Sequence, residues 1–109
     1  VNPDGSPEFP KKVLGRWTCR GWPVGEGAKT LTGPWVVTHQ LFDFGNQAGR
    51  VTLTTDGVEL VDFDVPVLRA IIGGTGQYAS ARGEARQIMT SFNELNGVIL
   101  QVELRVEMK

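Results

Sequence analysis

The chain predicts an all-β domain, an antiparallel β-barrel of about six to eight strands, and three observations lead there. Its 14 glycines and 6 prolines divide 109 residues into pieces too short for long helices. From Val13 onward, β-branched and aromatic residues alternate with polar ones and stop at Gly, Asp or Asn. The clearest run is the last: Val98, Leu100, Val102, Leu104, Val106 and Met108 are apolar, and Gln101, Glu103, Arg105 and Glu107 between them are polar. A closed barrel would also remove exposed strand edges.

Taken in order, Val1 to Pro10 contains Pro3, Pro7 and Pro10 without periodicity, so residues 1–12 read as an irregular arm. Within it, Gly5-Ser6-Pro7-Glu8-Phe9 resembles a cloning junction and is given no functional weight. The barrel domain is expected over 13–109. Val13 to Trp22 is its first strand, and Lys29 to Gly45 holds a long second run broken by Gly33-Pro34. Gly49 to Thr55 then meets Asp56-Gly57, the strongest short hairpin signal in the chain, and Val58 to Phe63 is expected to return from it. Val65 to Ile72 is another strand, ending in Gly73-Gly74-Thr75-Gly76. Helix formers collect in Tyr78 to Met89, but Gly83 interrupts them, so a turn or short helical piece near Ala79 to Arg82 should lead into a strand near Glu84 to Phe92. Asn93 to Gly97 is the turn that feeds the final strand.

A length of 109 residues suits one domain, and at that size burial is marginal enough that a homo-oligomer, dimer or trimer, is expected to help. Eleven basic residues against 12 acidic ones, unclustered, argue against a nucleic-acid partner or an anionic membrane surface. No apolar run approaches the roughly 20 residues of a membrane helix, and no leader pattern opens the chain. A soluble protein is expected, cytoplasmic or secreted after removal of a leader. The single cysteine, Cys19, excludes an internal disulfide and a thiolate metal cluster, and neither metal nor cofactor is expected.

The most informative motif is Ile71-Ile72-Gly73-Gly74-Thr75-Gly76-Gln77-Tyr78-Ala79-Ser80-Ala81-Arg82-Gly83-Glu84. One reading is a dinucleotide-binding turn, which lets backbone approach a pyrophosphate at a helix N-terminus. That fingerprint should open a βαβ unit, whereas only 33 residues follow Gly76 and they read as a hairpin. The other reading is by likeness: a strand ending in Gly-Gly-Thr-Gly, then an aromatic, then Ala-Arg-Gly and a further strand resembles the signature segment of the allene oxide cyclase and dirigent barrel superfamily. The similarity extends over Val13 to Met108. It implies an eight-stranded barrel whose central cavity binds a hydrophobic small molecule and steers its cyclisation or stereoselective coupling by confinement. Six or seven strands are countable here, which leaves open whether one chain closes the barrel and whether N-terminal strands are missing from it.

Gly73, Gly74, Gly76 and Gly83 are expected to make a structural turn at the barrel rim. Trp17 and Cys19 share one face of the first strand, with Arg16, Thr18, Arg20 and Trp22 on the other. Core packing and cavity lining both suit the tryptophans. The cavity-lining candidates are Trp17, Cys19, Trp35, Val37 and Tyr78. His39, on the face of Trp35, Val37, Leu41 and Asp43, is a candidate acid or base, with Arg82 and Glu84 as further catalytic candidates. No Ser-His-Asp order or paired-carboxylate motif supports hydrolase chemistry. Two other roles fit the same residues: a lipophile-binding barrel without turnover, and a structural oligomerisation domain.

Overall fold

A computed structural model describes residues 1–26, 29–45 and 48–108. Lys109, the last residue of the expected domain, lies outside them. Six strands account for the fold: β1 (Arg16–Pro23), β2 (Pro34–Asp43), β3 (Thr52–Leu60), β4 (Val67–Thr75), β5 (Arg82–Phe92) and β6 (Val98–Glu107). Each pairs antiparallel with the next in chain order, giving one sheet that curls into a half-barrel. The all-β antiparallel expectation holds. The sheet stays open, as the low strand count suggested: among the described residues β1 and β6 are its two ends and pair with no further strand. The Cα radius of gyration, 14.4 Å, exceeds by roughly 1 Å that of a compact globule of this length, as an open trough requires.

Register assigns the faces. Gln40 lies opposite Cys19 on one side and Thr55 on the other, Thr55 opposite Ile71, and Arg69 opposite Ala85, which in turn faces Leu104. These residues point into the concave face. Apolar members of that face form the core, in which Leu53, Ile71, Ala81 and Ala85 are buried and Phe42, Phe44, Tyr78, Val102, Leu104 and Val106 pack around them. Strand β1 is different, since every one of its residues is exposed. Among the described residues its strand pairing is with β2 alone.

Asp56-Gly57 does not form the expected hairpin. Both residues lie inside β3, where Asp56 pairs across to His39 and Gly57 to Thr38. The two expected strands on either side of it are therefore one, and the reversal comes at 61–66, where Asp64 takes the left-handed conformation (φ 61°). The reason is tertiary: the side chain of Arg69 crosses β3 at Gly57, so that a Cβ there would lie 3.1 Å from Arg69 Cγ.

The glycine-rich segment also runs further than expected before it turns. Gly73 and Gly74 belong to β4, a bulge at Ile72 shifts their register on β3, and the corner is a single 3-10 turn at Gly76–Tyr78. Gly76 is required there, because its φ is +61° and a Cβ would meet the Arg50 carbonyl oxygen at 2.2 Å. Gly83 sits within β5. The corner joins antiparallel neighbours with no parallel strand in the sheet, which removes the dinucleotide-binding reading. The final hairpin turns at 93–97, with Asn96 at φ 61° and Asn93 accepting from the Leu95 and Gly97 amides. Among the described residues no helix is long and apolar enough to cross a membrane.

Candidate functional site

The concave face carries a polar layer between two apolar ends. Gln40, Thr55, Arg69, Gln87 and Thr38 are all buried there. Their hydrogen bonds run in one direction, from a cation to an anion. Arg69 donates through Nε to Thr55 Oγ1 at 3.1 Å, through Nη1 to Thr38 Oγ1 at 2.8 Å and through Nη2 to the Thr38 carbonyl at 2.8 Å. Thr55 Oγ1 donates in turn to Gln40 Oε1 at 3.0 Å. The Gln40 amide donates to Gln87 Oε1 at 2.6 Å and to Glu59 Oε1 at 3.1 Å, and the Gln87 amide donates to the same Glu59 oxygen at 3.1 Å. Such a chain polarises each bond in the same sense and fixes both glutamine amides. Burial pushes the Arg69 guanidinium below its ordinary pKa, opposed first by the charge of Glu59.

Glu59 is where this layer reaches open space. It lines a narrow cavity of about 40 Å³ together with Trp17, Trp35, Val67, Met89 and Leu100, room for roughly three water-sized spheres. Trp35 enters through a β-bulge: Pro34 pairs with Leu60 and Val36 with Glu59, so Trp35 is the extra residue between them. Simple alternation had placed it with His39. Its indole nitrogen is buried and finds no acceptor among the described residues.

Sharing Trp17, Val98 and Leu100 with this cavity, a wider trough of about 430 Å³ runs between Phe42 on β2 and Val102 on β6. Val1 and Gly5 of the arm stand at its edge, because the Pro3 carbonyl accepts from the Glu94 amide in the last hairpin turn at 2.9 Å. The trough fills the gap between the two unpaired edges of the sheet.

The candidates from sequence divide between the faces. Trp17 and Trp35 meet in the narrow cavity, and Cys19 lies on the same concave face opposite Gln40. Partial desolvation of the otherwise exposed Cys19, then the charge of Glu59, raise its thiol above the ordinary pKa, with Thr38 opposing. Tyr78 packs at the other end, 5.9 Å from the Phe44 ring. Val37 is exposed on the convex face. His39 is on that face too, its Nδ1 2.7 Å from Asp56 Oδ1, with both side chains partly exposed. Arg82 is exposed and donates to the adjacent Ala81 carbonyl at 2.7 Å, and Glu84 faces Arg105 across the β5–β6 ladder. None of these three reaches the trough.

Sequence reasoning missed Glu59, Arg69, Gln40 and Gln87. A signal for them existed, since Arg69 falls in phase with Val67 and Ile71, and Gln87 with Ala85 and Met89. A polar side chain in the apolar phase of a strand is a buried polar group that must find a partner. Among the described residues no three His, Cys, Asp or Glu side chains are grouped to hold a metal ion. Comparison with protein-family models, with curated proteins and with solved structures gave no match.

Proposed function

We propose that this half-barrel is a small-molecule protein of the cyclase or dirigent kind, which confines a hydrophobic substrate on its concave face and steers its cyclisation or coupling. One observation carries the reading: an apolar trough narrows into a cavity whose inner wall is a bonded polar layer ending on Glu59. Apolar walls with a few convergent polar groups are what a pocket for a mostly apolar guest needs. Holding a flexible molecule in one reactive fold, away from water, lowers the barrier without demanding a strong acid or base. In this role Glu59, whose Oε1 accepts from two glutamine amides, is the group that accepts from a polar donor on the guest.

A second reading, lipophile binding without turnover, is favoured by the position of His39 outside the trough and by surroundings that push the Cys19 thiol above its ordinary pKa. One experiment separates the two. Incubation with candidate polyene or epoxide substrates changes product stereochemistry under the first reading, whereas under the second the same compounds quench tryptophan fluorescence and leave the product mixture as it is in buffer. No quenching and no change in products would reject both.

A further inference from the structure

We infer that β6 is a dimerisation edge, on which a second copy of this chain pairs its own β6 antiparallel about a two-fold axis at Leu104. This concerns the free edge of the sheet and does not depend on what the trough holds. Among the described residues the outer edge of β6 has no strand partner, so a row of backbone donors and acceptors stands open along it. Its concave side borders open space in both halves: Val98, Leu100 and Val102 line the trough, and Leu104 and Val106 line a second groove of about 510 Å³ beside Leu14 and Phe44.

Charge on an edge strand ordinarily prevents such pairing, and the convex face of β6 carries Gln101, Glu103, Arg105 and Glu107. Their order permits one register and opposes the others. A two-fold antiparallel pairing that keeps every side chain on its own face must centre on a residue. Centred on Glu103 or on Arg105, it sets that charge against its own copy, which is repulsive. Centred on Val102, it puts Glu103 against Gln101 and Arg105 against Ile99, and no charges match. Centred on Val106, it keeps only Leu104 to Met108. Centred on Leu104, it joins 100–108 to 108–100 and places Glu103 opposite Arg105 of the partner subunit on both sides of the axis. On the concave side Leu104 then meets the partner's Leu104, and Val102 the partner's Val106.

The neighbouring strand extends the match. Glu84 of β5 faces Arg105, and Arg86 faces Glu103. One row across the dimer therefore runs Glu84, Arg105, the partner's Glu103, the partner's Arg86, with charge alternating over four strands. Glu103 and Arg105 are exposed and bond each other at 2.7 Å within β6, free to reach across. Exposed pairs of this kind are individually weak, so they select the register, and the added backbone ladder with its apolar row supplies the affinity. Strand β1 offers no equivalent self-pairing: its convex face has Arg16, Thr18, Arg20 and Trp22 with no acid, and Pro23 lacks an N–H. The competing arrangement is head-to-tail, with Arg16 and Arg20 against Glu107 and Glu103 of the partner subunit. It leaves a free β1 and a free β6 at its ends, whereas the two-fold contact closes on itself.

Sedimentation equilibrium of the full chain tests this, with circular dichroism to check that each variant keeps its sheet. Wild type should be a dimer. Glu103→Arg and Arg105→Glu should each weaken self-association at least ten-fold, because each sets like charges across the axis. Mixed in equal amounts, the two variants should recover an affinity within a few-fold of wild type, since one chain brings two basic side chains and the other two acidic ones. A monomeric wild type, or a mixture that stays monomeric, would overturn the assignment. So would an Arg105→Glu chain that associates as well as wild type, or species that grow beyond two copies, both of which the head-to-tail contact predicts.

Discussion

Arg69 decides more about this molecule than its position in a short strand suggests. It is 1% exposed and has no directly bonded carboxylate among the described residues, so its charge is balanced through hydroxyls, carbonyls and two glutamines rather than by an ion pair. Arg69→Met keeps much of the volume but strips donors from the buried oxygens of Thr38 and Thr55. It should cost about 2–4 kcal/mol in urea unfolding, and a loss below about 1 kcal/mol would show that the layer is not a stability determinant. Cys19 offers a residue-scale test of the local field. Burial and Glu59 both favour the neutral thiol, so the pH midpoint of its alkylation by iodoacetamide should lie above the free-cysteine value near 8.5. A midpoint at or below that value would mean that the thiol does not sense the concave wall.

At the scale of elements, hairpin chemistry and packing compete, and at Asp56-Gly57 packing wins. A dipeptide that readily makes a two-residue turn instead stays extended, because its glycine leaves room for the Arg69 stem between β2 and β4. Gly57→Ala brings a Cβ to 3.1–3.3 Å from three atoms of Arg69 and should cost about 1–3 kcal/mol, read from chemical denaturation. If Gly57→Ala were neutral, Arg69 would not be confined there. The β3–β4 connection carries a pH dependence. Asp62 accepts from the Gly33 amide and Thr32 Oγ1, both at 2.7 Å, and these bonds hold its carboxyl below the ordinary carboxylate range. A depressed folded pKa stabilises above the unfolded value, and that contribution disappears as pH falls through the folded one. The stability difference between wild type and Asp62→Ala should therefore be constant above about pH 5 and shrink towards pH 2. A difference that stayed flat over that range would remove the loop tie as an acid-sensitive element.

For the whole molecule, the open edges set the pattern of local stability. Strand β1 is exposed along its entire length and pairs only with β2, whereas β3 and β4 are paired on both sides and contribute Leu53, Thr55, Arg69 and Ile71 to the buried face. Amide hydrogen exchange should show β1 opening far below the global unfolding free energy, with the slowest amides in β3 and β4. Equal protection in β1 and β3 would mean that something covers the edge in solution. The same openness gives the trough its access, since a closed sheet would place the concave face behind a wall of strands.

Much of this could be read from residues alone. The period-two run of β6, the Asn96-Gly97 turn and the chain reversal that begins at Gly76 belong to local chemistry, in which backbone preference and alternation act within a few residues. So the all-β class, the final hairpin and the presence of Trp17 and Cys19 on one strand face followed from the chain as written. What alternation could not supply was the inside of the sheet. Period two says that two faces differ and not which is concave, and one bulged residue moved Trp35 away from His39 and into the cavity. The pairing of Arg69 with Thr38 spans 31 residues, and that of Gln40 with Gln87 spans 47. Contacts at such separations are selected by the curl of six strands acting together, which no local window contains, and that is why Glu59 became visible as a site residue only in the folded chain.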